Sequence, residues 1–295
     1  NGLVSWPQPP PGATMANHRI YQYTSIGRPL DPAYASNKAV LMLLPLAAVV
    51  GAVVAWFGGA GALQGLQQAA VYALILFASW ALARELDPDH NPAAFISLAC
   101  GMLVALFVSA PGVLIVFVTL GLVRIVNRST GLAARKTDSV VLMVLSIVVI
   151  YSTESPLFGA VAALAFTLDG TLQDPLRRQW LFGLVCLGAT IVYMVDHDIG
   201  PSLIGAPDTL FEWLSLLFLL IFALNILLTR SVRSRGDVND RPLDLNRVRG
   251  GMTVGLFAAL QGIHAPAGVA VMIAVIAGIC IGMAFRKGFQ SPVAG

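Results

Sequence analysis

Ten stretches of this chain run with almost no charge, and that constrains its fold more than any other feature. They lie near 38–58, 62–83, 93–109, 112–127, 138–153, 156–168, 178–195, 208–229, 250–263 and 266–285. A helix that crosses a bilayer needs about 20 mostly apolar residues. The first, second, eighth and tenth stretches meet that length. The third to sixth and the ninth are short for full spans. None shows the alternation of a membrane barrel strand. Of the 295 residues 57% are hydrophobic and 11% charged, against about 25% charged in a soluble domain. That balance excludes an ordinary soluble enzyme, a disordered chain and a nucleic-acid-binding domain. The expected fold is all-α: a polytopic transmembrane helical bundle of about ten spans, both termini cytoplasmic. Residues 1–37 read as a cytoplasmic tail, 38–287 as one transmembrane domain and 288–295 as a C-terminal tail. Residues 1–14, with the proline run Pro7-Gln8-Pro9-Pro10-Pro11 ahead of Met15, are set aside as a candidate processed or non-native segment.

Charge fixes the orientation. Lys and Arg number 18 against 15 Asp and Glu, a net +3. Cytoplasmic loops of membrane proteins collect the basic residues. With the N-terminus inside and ten spans threaded, all 18 basic residues fall on one face. The opposite loops carry Glu154, Asp196, Asp198, Asp208 and Glu212. The localisation implied is a multi-pass protein of the cytoplasmic (inner) membrane. Its basic loops anchor topology and meet anionic membrane lipids. The longest internal polar stretch, Arg230 to Arg249, reads as a hydrated connector. Cys100, Cys186 and Cys280 sit inside apolar runs and read as buried free thiols.

The middles of the spans hold only uncharged polar groups such as Gln67, Gln68, Ser146, Thr190, Asn225 and Gln261. Ion-coupled carriers usually place ionisable groups there. Polarity is instead concentrated at the cytoplasmic ends. The second span is followed by Arg84-Glu85-Leu86-Asp87-Pro88-Asp89-His90-Asn91-Pro92, and the fourth by Arg124 to Gly131. The sixth is followed by Asp169-Gly170-Thr171-Leu172-Gln173-Asp174-Pro175-Leu176-Arg177-Arg178. Asn91, Asp174 and Asp138 fit helix N-caps or first turns. Asp87, Asp89 and Asp169 are hard oxygen donors suited to Mg²⁺, and Arg84, Arg128 and Arg178 are suited to a phosphate. On the outer face, Asp196-His197-Asp198 reads as a solvated loop. Trp56, Trp80, Tyr151, Trp180, Tyr193 and Trp213 read as interfacial anchors. The pairs Gly251/Gly255 and Gly278/Gly282 have the spacing that lets helix backbones approach in lipid.

This layout is similar to that of UbiA-type intramembrane prenyltransferases. Their two Asp-rich motifs lie at the cytoplasmic ends of the second-to-third and sixth-to-seventh helices, where they hold Mg²⁺ and a polyprenyl diphosphate. Asp87/Asp89 and Asp169/Asp174 occupy the corresponding loops. Glu85-Leu86-Asp87-Pro88-Asp89 departs from that family's Asn-Asp-x-x-Asp-x-x-x-Asp, and the second pair is spaced five apart rather than four. The similarity is one of layout.

Three functions fit this pattern. The first is a Mg²⁺-dependent, transferase-like enzyme acting on an amphipathic or phosphorylated lipid at the cytoplasmic leaflet. The second is a small-solute transporter or lipid flippase. The third is a non-catalytic subunit or scaffold, meeting copies of itself or a larger membrane complex through glycine-rich helix faces. No nucleic-acid partner is expected.

Overall fold

A backbone in lipid has no water to bond to, so apolar runs of this length satisfy their amides internally, as helices. The computed structural model describes residues 20–108, 112–199, 207–261 and 266–289. The expectations for Arg19, the break at 109–111, and the tail beyond 289 lie outside the described residues, as do the side chains of Arg286 and Lys287. Among the described residues there are ten helices of 15 residues or more. They are α1 (Ala35–Phe57), α2 (Ala62–Leu86), α3 (Asn91–Phe107), α4 (Val113–Asn127), α5 (Lys136–Ser152), α6 (Leu157–Thr171), α7 (Gln179–Asp196), α8 (Leu210–Leu228), α9 (Leu245–Leu260) and α10 (Pro266–Phe289). The chain is thus all-helical in its named elements, and each apolar stretch becomes one helix. Four of them, α1, α2, α7 and α8, are long and apolar enough to cross a membrane.

The short helix α4 is the hub, packing against α2, α5, α6, α9 and α10. Its residues from Val118 to Val123 are all buried. Around it, α1 packs on α2, α3 on α10, and α7 on α6. The outer faces of α1, α7 and α8 stay apolar and exposed, with Phe57 at 85%, Val195 at 77% and Leu227 at 73%. Apolar surface on that scale belongs against lipid or protein rather than water.

Close backbone approach sets the α3–α10 contact. A Cβ on Gly278 would overlap the backbone of Ser97, and one on Gly282 would sit 2.7 Å from Ala93 Cα. The Gly278/Gly282 pair therefore meets a matching small pair on α3, and Ser97 Oγ donates to the Val275 carbonyl at 2.9 Å. Gly251 and Gly255 are instead closed over by side chains, those of Asn127 and Leu86. All four glycines are covered by helices of their own chain.

Several local expectations change. α3 begins at Asn91 with His90 as its N-cap residue, and α7 begins at Gln179 with Arg178 before it. Asn91 and Asp174 are therefore not caps; Asp174 instead takes a left-handed turn conformation, φ 54°. Asp138 is in the first turn of α5, but it accepts from the Ser25 amide and hydroxyl at 2.7 and 2.5 Å. It ties down the segment before α1. Trp56, Tyr151, Trp180 and Trp213 are exposed, whereas Trp80 and Tyr193 are buried. Their rings are spent inside the bundle: Trp80 beside Phe77, and Tyr193 stacked on His197.

Candidate functional site

Hydrogen bonds between distant loops show which helix ends lie together. Glu85 at the end of α2 meets Arg28 and Arg124. Asp169 at the end of α6 meets Arg128 and Arg247. Arg178 donates to the Ala134 carbonyl, and Asp89 receives the amides of Arg233 and Ser234. The ends that the charge pattern assigned to one face converge on one end of the bundle.

Two buried carboxylates organise this end. Asp169 is fully buried. Its Oδ1 accepts from Arg128 Nε at 2.9 Å, Arg128 Nη2 at 2.7 Å and Arg247 Nη1 at 2.8 Å. Its Oδ2 accepts from Gln179 Nε2 at 2.9 Å. Arg247 also donates to the Val126 and Gln173 carbonyls. The second carboxylate, Glu85, is 1% exposed and accepts from Arg124 Nε at 2.9 Å and Arg28 Nη1 at 3.2 Å. Its carbonyl accepts from Asn127 Nδ2 at 2.8 Å. A buried carboxylate is tolerable only with such complete pairing.

Arg28 extends this network to the surface, with a two-pronged pair to Asp237 at 2.6 Å on each oxygen. Burial would lower its pKa, but Glu85 and Asp237 outweigh burial and hold it above its ordinary value. Asp237 belongs to the stretch expected to be a hydrated connector. That stretch is largely exposed, as a hydrated connector should be, but it is not irregular: residues 230–243 fold back on themselves, with Leu243 N bonded to Ser234 O and Gly236 N to Arg241 O. They also dock on the α4–α5 turn through Val238 N to Thr130 O and Asn239 Nδ2 to Gly131 O. Asp89 clamps the other side, taking the Arg233 and Ser234 amides at 3.0 and 2.9 Å and the Ser234 hydroxyl at 2.7 Å. Burial would raise the Asp89 pKa, but these donors hold it below the ordinary value of 3.8.

Beside this clamp lies a groove of about 630 Å³. α8, α9 and α10 give it apolar walls from Leu224, Leu228, Val248, Met252, Cys280 and Met283. Its rim is polar, with Asp87, Asp89, His90, Arg230 and Arg233. At this rim His90 Nδ1 lies 2.6 Å from Asp87 Oδ1. The other oxygen, Asp87 Oδ2, is buried and makes no hydrogen bond among the described residues. A buried carboxylate oxygen without a donor is costly and rare, and is satisfied when a ligand supplies one.

The six expected site residues therefore part company. Asp87 and Asp89 share the groove; Asp169 does not line it. No three acidic, His or Cys side chains gather in metal-binding geometry among the described residues. Arg128 is committed to protein acceptors. Arg178 and Arg84 each make one side-chain bond, to the Ala134 carbonyl and to Ser36 Oγ at 3.3 Å, and in each the Nε is buried without an acceptor among the described residues. His90, Arg28, Arg233 and Arg247 were missed as site or network residues. His90 carried a usable signal, because an Asp three residues before a His within one turn can bond its ring.

The chain matches no protein-family model, no curated protein and no solved structure.

Proposed function

We propose that this is a multi-pass protein of the cytoplasmic membrane whose ten helices all stay within the bilayer, with the arginine-rich end facing the cytosol. In this reading it is a transferase-like enzyme that binds an amphipathic lipid with a phosphorylated headgroup in the groove beside Asp87 and His90. The observation that carries it is the groove itself: apolar walls from three helices ending in a charged rim that holds an Asp–His pair. The volume lies within the usual range for a small-molecule site, about 300–1,000 Å³. Leu224 and Leu228 are 54% and 56% exposed, so an acyl chain could enter sideways from the bilayer.

The rim divides the chemistry. Arg230 and Arg233 offer charge to the headgroup phosphate. Asp87 holds the His90 ring through Nδ1, which leaves Nε2 to accept a proton from an attacking hydroxyl. Mg²⁺ is commonly held by one or two carboxylates together with substrate phosphates. Asp87 Oδ2 fits that role; Asp89 and Asp169 are already occupied by amides and guanidinium groups. Arg84 falls outside the groove lining.

Lipid co-purification with detergent-extracted protein tests this reading by native mass spectrometry. Wild type should retain an anionic phospholipid or isoprenoid phosphate, and Leu224→Trp, which fills the groove, should lose it. His90→Ala should keep the lipid but abolish its conversion. Equal retention of lipid by Leu224→Trp would overturn the proposal.

A further inference from the structure

Pro88 lines both the groove and a second cavity, of about 220 Å³, under the docked 230–243 loop. One water needs about 10–15 Å³ by this measure, so the chamber has room for a small molecule or several waters. Its charged lining is Arg28, Arg84, Arg235, Glu85 and Asp237, with Ser234 beside them.

The charges in and around it do not cancel. Arg235 pairs with Asp240 outside the chamber. Glu85 is matched by Arg124 and Arg28, and Asp237 by Arg28. That leaves three guanidinium groups around two carboxylates: Arg28 and Arg84 in the lining, and Arg124, which reaches Glu85 from outside it. Arg84 is the surplus cation. A guanidinium has five donor hydrogens, and Arg84 spends one on a 3.3 Å bond to Ser36 while its Nε has no acceptor among the described residues. Its Cζ lies over the Trp80 ring, 5.6 Å from the ring centre.

We propose that this chamber binds the phosphate group of a small water-soluble molecule, with Arg84 as the principal ligand. Guanidinium forks match phosphate oxygens two at a time. The lining is polar apart from Pro88 and Leu243, so an acyl chain finds no wall here as it does in the groove. The ligand is a soluble phosphomonoester or inorganic phosphate rather than a lipid headgroup.

The test uses the full chain in nanodiscs of zwitterionic lipid, titrated with inorganic phosphate at constant ionic strength and followed by thermal unfolding. Saturable stabilisation is expected, with apparent affinity reduced at least tenfold in Arg84→Gln. Arg84→Lys keeps the charge but not the fork, and should lose about threefold or more; it carries the comparison if Arg84→Gln does not fold. Leu224→Trp should bind phosphate as wild type does, which separates this site from the groove. Stabilisation matched by chloride, stabilisation unchanged in both Arg84 variants, or stabilisation seen only with anionic lipid would each overturn the proposal.

Discussion

Asp169 shows how one buried charge can hold several helix ends. It has no exposure and collects donors from Arg128, Arg247 and Gln179. Removing one partner of a buried ion pair costs about 3–5 kcal/mol, because the remaining charge stays buried. Asp169→Asn should therefore lower unfolding free energy by that order in a denaturant titration. Gln179→Ala, which deletes one hydrogen bond to a charged group, should cost about 1–3 kcal/mol. Asp89 makes a pH-dependent prediction. Its folded pKa is below the ordinary 3.8, so its contribution is complete above that value and lost as pH falls through the folded one. Hydrogen exchange in residues 231–235 should rise only below the ordinary carboxylate range. Asp89→Asn should show the faster exchange already at neutral pH.

At the scale of helices, the contact between α3 and α10 depends on small residues. Gly278→Leu would drive a side chain into the Ser97 backbone. Overpacking of this kind costs about 1–3 kcal/mol or more; because the Cβ alone already overlaps that backbone, Gly278→Ala should itself show a clear loss, measurable by thermal unfolding in detergent. The helices themselves were legible in the sequence, since every apolar run became one. Their ends were less so, for a physical reason. α9 begins at Leu245, not near 250, because Asp244 caps it at the Arg247 amide. Arg247 counted as a loop residue by charge, yet its head is buried on Asp169. Local patterning cannot show a partner 78 residues away. The site was legible in part for the same reason. Clustering of Asp87, Asp89 and Arg84 near one membrane face follows from charge along the chain. That Asp169 would be consumed by two arginines, while Asp87 kept an oxygen free, depends on how distant helix ends meet.

For the whole molecule, the separation of charge between the two ends implies a topology. A cysteine placed at Asp196 should react with a membrane-impermeant thiol reagent from outside intact cells, and one at Asp240 only after permeabilisation. Both positions are exposed, and the native cysteines are free, with Cys186 and Cys280 buried. The reverse pattern would turn the arginine-rich end outward and remove the cytosolic site with it. Within that topology the docked 230–243 loop places a polar chamber and an amphipathic groove side by side, sharing Pro88. A soluble phosphate compound and a lipid would then meet across the Asp89 clamp.

The most direct measurement is an electron cryomicroscopy map of the full chain in nanodiscs containing anionic lipid. The account predicts a lipid with its chain along Leu224, Met252 and Met283 and its headgroup within hydrogen-bonding distance of His90 or Arg233. A groove closed by the chain's own side chains, or one that stays empty while lipid is ordered elsewhere on the surface, would contradict it.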